Sequence, residues 1–426
     1  MRVLSKIGLA FYAMILLPSA MNAADPMATK YDMRQCEGSL TPYPQIESSV
    51  SYPDTLVPVF INHVGRHGSR YPASSVYCLT LQKALAKAEA TGTITALGRN
   101  LQKLNNEVIA LSNGRWGALD SLGMAEQANI ATRMYYNYTK VFSDGAHIKA
   151  LSSYSPRSMM SMFSFVHQLD RMNNRLSFST STGRENSSQM RPFDVDKAYL
   201  EFTEEKPWKE TYDNYFNAVC PVSAIHRVLG EGYEYENEDE EKNLAITEYY
   251  VIAGLPAMSL APALATYFTV DEANALWSCF NLRQYLQRTA STISTVPADI
   301  ASDLLLNLIE TTDAFVNGED SETVAVLRFG HGETVLPIVS LLRLPGCYYL
   351  TNYFDTVAGQ WCDFDVIPMA ANLQLVVFKA VNSGKYYVRL DLNEKPMKLR
   401  KGDDEIYYPW GEVRRYMTNC IPLYAQ

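Results

Sequence analysis

The chain has 426 residues, 47% of them apolar, with 28 tyrosines and a formal net charge of −9. That is ample material for a large core and more than one folding unit. An acidic balance excludes nucleic acid or an anionic membrane as the main partner, because both require a broad positive surface. If the substrate is an anion, the positive field that holds it must be local.

Arg2 and Lys6 precede an apolar run from Ile7 to Leu17, and the small residues Ala20 and Ala23 lead into a polar stretch. This is the pattern of a cleavable secretory signal over residues 1–23, with an apolar core too short to span a bilayer, and it predicts a secreted or periplasmic protein. Cleavage removes two positive charges and no negative ones, taking the net charge to −11. The best later candidate for a membrane helix, 249–268, is broken by Pro256 and Pro262, so no span is expected. The seven cysteines, at 36, 78, 220, 279, 347, 362 and 420, include no Cys-x-x-Cys pair and no neighbouring histidines, which argues against zinc. In an exported chain some are expected to form disulfides, with Cys347 and Cys362 the nearest couple in sequence, and the odd count leaves one over.

The run Leu56 to Asn62, rich in Val, Phe and Ile, predicts a buried strand, and residues 75–90 show helical spacing after it. Between them stand Arg66, His67, Gly68, Ser69 and Arg70. Strand, charged loop, then helix is how an open α/β sheet places binding groups at the carboxyl end of a strand. Helices are expected over 98–111 and 121–142, the second capped by Asp120 or Ser121. A short strand, 148–153, then runs into a helix opened by Pro156 and Arg157, repeating the pattern.

From about residue 183 to 297 the chain becomes rich in Tyr and Trp, carries an acidic run at 234–241, and shows long helical patterns from 242 to 288 without clear strands. This predicts an inserted, mainly α-helical cap domain over 183–297. The α/β core is then 24–182 together with 298–426. A helix over 298–316 leads to a third strand, 322–329, which ends in Gly330, His331, Gly332 and Glu333 and continues as a helix with Pro337 in its first turn. Residues 373–379 and 386–392, around Asn382-Ser383-Gly384, predict a hairpin. The fold class expected is α/β, a Rossmann-like open sheet flanked by helices, with the helical cap inserted.

Three strand ends thus supply Arg66, His67 and Arg70; Arg157; and His331 and Glu333. Arginine suits a phosphate, since its planar fork makes paired, charge-assisted hydrogen bonds and keeps its proton. Several around one dianion stabilise charge on the equatorial oxygens during phosphoryl transfer. Among such cations His67 can be neutral and nucleophilic, a tendency that a bound dianion opposes, so the sequence does not fix the sign of the net shift. Glu333 is placed to protonate the leaving oxygen and later to activate water. His63 and His67 satisfy a His-x-x-x-His spacing, but the pair straddles a strand end and no Glu follows in the metalloprotease position. No metal or other cofactor is expected.

The motif Arg66-His67-Gly68-Ser69-Arg70-Tyr71-Pro72 resembles the signature of the histidine acid phosphatases. His331-Gly332-Glu333-Thr334 is similar to the His-Ala-Glu variant of the multiple inositol polyphosphate phosphatases, with Gly332 where alanine is usual, and Ser155-Pro156-Arg157 and Ser161 match the segment that contributes the family's third arginine. The resemblance covers about residues 55 to 345. It implies the histidine phosphatase fold, His67 as the phosphorylated nucleophile, Arg66, Arg70, Arg157 and His331 as phosphate ligands, and Glu333 as proton donor. The implied activity is hydrolysis of inositol polyphosphates such as phytate, against the alternative of a broad acid phosphatase acting on sugar phosphates or nucleotides. For the non-reacting phosphates, the basic residues Arg191, Lys197, Lys206 and Lys209 are the candidate ligands early in the cap.

Overall fold

The computed structural model describes residues 30–46 and 51–423, so the expected signal at 1–23 lies outside the described residues. Eight strands form a sheet: β1 (Leu56–Arg66), β2 (His147–Ser152), β3 (Ser177–Ser181), β4 (Thr323–Gly330), β5 (Asn372–Ala380), β6 (Tyr386–Leu392), β7 (Lys395–Met397) and β8 (Tyr408–Pro409). Their order is β3-β2-β4-β1-β5-β6-β7, with β8 paired to β6. The pairs β1 with β4, β4 with β2 and β2 with β3 are parallel, whereas β5, β6, β7 and β8 are antiparallel additions.

Alternate strand residues enter two different cores, as the two-residue period of a strand requires when both faces are covered. Phe60 and Val64 of β1, Val326 of β4 and Leu373, Leu375 and Val377 of β5 face one core. Ile61, Leu327, Val376 and Phe378 face the other. The nine longer helices that matter here are α1 (Val76–Thr91), α2 (Ala96–Ser112), α3 (Ser121–Asn137), α4 (Pro156–Met172), α5 (Glu238–Ala253), α6 (Val270–Arg288), α7 (Ser302–Val316), α8 (Gly332–Leu341) and α9 (Trp410–Cys420). Helices α3 and α4 cover one face of the sheet, and α7, α8 and α9 the other. A third core joins α1 and α2 to the chain between 220 and 280. Between β3 and β4 the described residues form helices and connecting loops.

The open α/β sheet flanked by helices is the fold class expected. Several element bounds differ from expectation. Strand β1 runs on to Arg66 because Asn62, His63 and Val64 are themselves buried. Helix α3 stops at Asn137, and the expected helix 298–316 begins at Ser302 after a short turn, Val296–Asp299. The helical patterns expected from 242 to 288 are α5 and α6, with the segment holding Pro256 and Pro262 and a single turn, Leu264–Tyr267, between them. Pro337 lies inside α8, not in its first turn, because the helix starts at Gly332, directly after His331. The acidic run supplies the first turn of α5: Asn237 caps it by accepting from the Glu240 amide at 2.9 Å, and Glu238, Asp239, Glu240 and Glu241 face the positive end of the helix dipole. Strand β3, Ser-Phe-Ser-Thr-Ser on the sheet edge, carries too little apolar alternation to be expected from sequence.

The expected disulfides are not formed: all seven cysteines are free. Cys347 packs in the core against α8 and α9, whereas Cys362 borders the helical core and donates to the Tyr31 hydroxyl oxygen at 3.3 Å. The two belong to separately packed cores, so nearness in sequence does not make them neighbours.

Candidate active site

Adjacent parallel strands β2, β4 and β1 end together. Arg66 pairs in register with Gly330, and Ser152 with Phe329, so the residues that follow each strand emerge along one sheet edge. The carboxyl ends of three parallel strands therefore deliver Arg66 and His67, Ser153 to Arg157, and His331 to Glu333 to one place. A cavity of about 320 Å³ opens there, lined among others by Arg66, His67, Arg70, Arg157 and Glu333.

The loop after β1 is held closely. Its His67 amide donates to Gly330 O at 3.1 Å, and Tyr71 N donates to Ala118 O at 3.1 Å. Glu126 of α3, which is buried, accepts from the Ser69 amide and hydroxyl, both at 2.7 Å, and from the Tyr43 amide at 2.8 Å. Gly68 and Gly123 touch: a Cβ on Gly68 would stand 2.3 Å from Gly123 O, and one on Gly123 would stand 2.2 Å from Ser69 O. Only glycine at both positions lets the loop rest on the start of α3. At Gly332 the reverse holds, since an added methyl would meet nothing closer than 3.6 Å. The departure from the His-Ala-Glu pattern is therefore neutral in packing.

His67 Nδ1 lies 2.9 Å from Gly68 O. A carbonyl only accepts, so Nδ1 carries the ring proton and Nε2 keeps its lone pair. Burial, and then Arg157, Arg66, Arg70 and His331, push the His67 pKa well below its ordinary value, so the ring is neutral. Arg66 is held from below, its Nη1 donating to Ser39 O at 2.7 Å and to Ile367 O at 2.6 Å. Ser39 is fixed by Asp363, whose Oδ2 accepts from the Ser39 amide at 2.8 Å and whose Oδ1 accepts from Trp277 Nε1 at 2.9 Å. Arg70 donates to Tyr71 O at 2.8 Å. Burial, with Arg66 and Arg157 adding repulsion, lowers the Arg70 pKa to about 9, which leaves it charged at neutral pH. The Nε–H groups of Arg66, Arg70 and Arg157 are all buried without an acceptor.

Glu333, on the first turn of α8, accepts from Arg288 Nη2 at 2.8 Å. Burial acts to raise its carboxyl pKa, but Arg288 and His331 outweigh that and hold it well below the ordinary carboxylate range. Arg288 and Arg283, both on α6 and both lining the cavity, were missed by sequence reasoning. The available signal was Arg283, Gln284, Gln287 and Arg288, a polar stripe one turn long on a helix whose other residues are mostly buried. Of the basic residues expected early in the cap, the structure brings only Arg191 to the site, where its Nη1 approaches His331 Nε2 at 2.9 Å. Lys197, Lys206 and Lys209 are exposed and do not line the cavity, and Lys209 is paired with Asp213. His63 is fully buried between Phe165 and Phe329 with neither ring nitrogen bonded, and burial followed by Arg328 pushes its pKa to about 3. Among the described residues no group of three or more His, Cys, Asp or Glu is placed to hold a metal ion, and no helix is long and apolar enough to cross a membrane.

The family model for the histidine phosphatase superfamily (branch 2) matches residues 59–169. Multiple inositol polyphosphate phosphatase 1 of Homo sapiens is 22% identical over 83% of this chain and 78% of its own length; that of Gallus gallus is 20% identical over 87% and 83%. Among solved structures, multiple inositol polyphosphate phosphatase of Bifidobacterium longum in complex with inositol hexasulfate superposes with a TM-score of 0.76 at 19% identity, covering 91% of this chain and 99% of that one. The phytase from D. castellii has a TM-score of 0.70 at 17% identity, covering 94% and 89%. These structures share the fold. The motif at the end of β1 and the segment through α4 both lie within the stretch that matches the histidine phosphatase superfamily (branch 2) model.

Proposed function

We propose that this protein is a phosphomonoesterase that hydrolyses inositol polyphosphates such as phytate through a covalent phosphohistidine. The observation that carries the reading is the convergence of Arg66, Arg70 and Arg157 with His67 on one cavity. Three guanidiniums, each a planar fork of charged donors, match the oxygens of a phosphoryl dianion. In the first step His67 Nε2 attacks phosphorus and the bond to the leaving oxygen breaks, while the Glu333 carboxyl gives that oxygen its proton. In the second, water attacks the phosphohistidine, Glu333 takes the proton, the P–N bond breaks and inorganic phosphate leaves. Arg288 favours the ionised Glu333 needed for the second step, so protonation for the first step places activity on the acid side.

The substrate class is supported by relatives named for inositol polyphosphates and by a neighbouring structure that holds inositol hexasulfate. It is supported as well by Arg283 and Arg288, which add positive charge to the cavity beyond the three arginines at His67. In this reading the segment 183–297 is a cap over the α/β core, and the amino-terminal sequence pattern exports the chain. The test is phosphate release from phytate and from p-nitrophenyl phosphate by wild type and His67→Ala, with and without EDTA. The variant is expected to lose more than about a thousandfold on both esters, and EDTA to change nothing. A specificity constant for glucose 1-phosphate equal to that for phytate would shift the reading to a broad acid phosphatase. Retention of activity in His67→Ala would end it.

A further inference from the structure

Arg66 meets the cavity with one of its two terminal nitrogens already engaged. Nη1 carries two protons, and it donates to Ser39 O at 2.7 Å and to Ile367 O at 2.6 Å. The donors that remain, Nη2 and Nε, share one edge of the planar fork, an edge that makes two parallel bonds to a phosphoryl group. Which edge of Arg66 is left for a substrate is therefore decided by where two backbone carbonyls stand. Ser39 and Ile367 both belong to the cavity wall.

Both carbonyls are placed by one residue, Asp363, which is fully buried. Its Oδ2 accepts from the Ser39 amide at 2.8 Å, and its backbone carbonyl accepts from the Ile367 amide at 2.8 Å. Asp363 is itself fixed on α6: Oδ1 accepts from Trp277 Nε1 at 2.9 Å, and its amide donates to Asn281 Oδ1 at 2.8 Å. Ser39 arrives from the far end of the chain, in the turn Gln35–Leu40, and passes Asp363 at contact distance. Gly38 has φ +60°, and a Cβ there would stand 2.9 Å from Asp363 Oδ2 and from the Phe280 ring. Only glycine lets the chain run that close. A carboxylate suits the place because it accepts at both oxygens. The amide of Asn, equal in shape, turns its NH2 towards a donor in either orientation, the Trp277 ring or the Ser39 amide, so it loosens Ser39 with almost no change in volume.

We propose that Asp363 is a positioning residue for Arg66: by holding Ser39 and Ile367 it turns the guanidinium so that its Nε–Nη2 edge meets the transferring phosphoryl group. This rests on the phosphoryl transfer proposed above. The effect of the Asp363 carboxylate on the reaction then passes through Arg66 and disappears when that side chain is removed.

The test is a double-mutant cycle on the whole protein: wild type, Asp363→Asn, Arg66→Ala and the double variant, read as kcat and KM for p-nitrophenyl phosphate and as the Kd of inorganic phosphate by titration calorimetry. Asp363→Asn is expected to lower kcat/KM about ten- to a hundredfold and to weaken phosphate binding about tenfold. In the Arg66→Ala background the same substitution is expected to change either quantity less than about threefold. Trp277→Phe takes away the donor that stops the carboxylate from rotating, and a smaller loss with the same dependence on Arg66 is expected. It carries the cycle if urea unfolding shows that Asp363→Asn does not fold. Losses that multiply in the double variant overturn the proposal, since a general defect of the fold is indifferent to the Arg66 side chain. Unchanged phosphate affinity in Asp363→Asn overturns it as well. If wild type binds phosphate but hydrolyses no ester, the functional reading fails, while the binding cycle still decides the role of Asp363; if it binds no phosphate, both end.

Discussion

Glu248 offers a stability measurement whose sign is fixed by its surroundings. It lies on α5, two residues before the cavity-lining Tyr250, and it is fully buried with no hydrogen-bond partner for either oxygen. Burial raises its carboxyl pKa from 4.5 to about 8, opposed by Arg227 and assisted by Glu272. The native state therefore binds this proton more tightly than the unfolded chain does. The resulting stability is fully present below about pH 4.5 and is lost as pH rises through about 8. At 1.36 kcal/mol per pKa unit, wild type gives up roughly 3 kcal/mol by pH 7 and about 5 kcal/mol above pH 8. Glu248→Gln has no proton to lose. Its buried amide costs about 1–3 kcal/mol, but equally at every pH. Urea unfolding from pH 4 to pH 7 is therefore expected to show the variant gaining about 3 kcal/mol on wild type across that range. Asp363 and Glu37, raised by burial to about 6 and about 7, tilt both proteins alike, so the difference isolates Glu248. Stability curves that run parallel would refute the reasoning.

Two predictions concern the site itself. Gly68→Ala drives a methyl into Gly123 O, and the expected result is a loss of about 1–3 kcal/mol in urea unfolding with a fall of about a hundredfold in kcat, because the loop bearing His67 and Arg70 must move. Arg288→Met removes the cation that keeps Glu333 ionised. The Glu333 carboxyl then rises, and the pH at which kcat for p-nitrophenyl phosphate begins to fall on the alkaline side is expected to move upward; an unmoved limb would show that Glu333 is not the proton donor.

The chemistry-bearing residues at the sheet edge were legible because each stands where an apolar run stops: Arg66 to Arg70 after β1, Arg157 after β2, and His331 and Glu333 after β4. A parallel sheet brings such ends together wherever the strands fall in the sequence, so local pattern alone carried that part of the site. The hairpin of β5 and β6 was legible for the same reason, whereas β3, with polar alternation on an exposed edge, was not. Arg283 and Arg288 reach the cavity only because α6 packs across it, a fact of tertiary placement that a helical pattern does not carry. The same holds for Glu126 and Asp363, whose partners, Ser69 and Ser39, lie 57 and 324 residues away.

For this protein, the amino-acid sequence by itself determined which charged side chains gather at the sheet edge and the strand ends that hold them, since those depend on residue type and short-range periodicity. Tertiary structure alone decided that the cysteines remain thiols, that Lys197, Lys206 and Lys209 stay in solvent, and that Arg191 approaches His331 instead of the cavity. Each of those depends on which side chain faces which, and charge, spacing and composition along a chain do not fix that orientation.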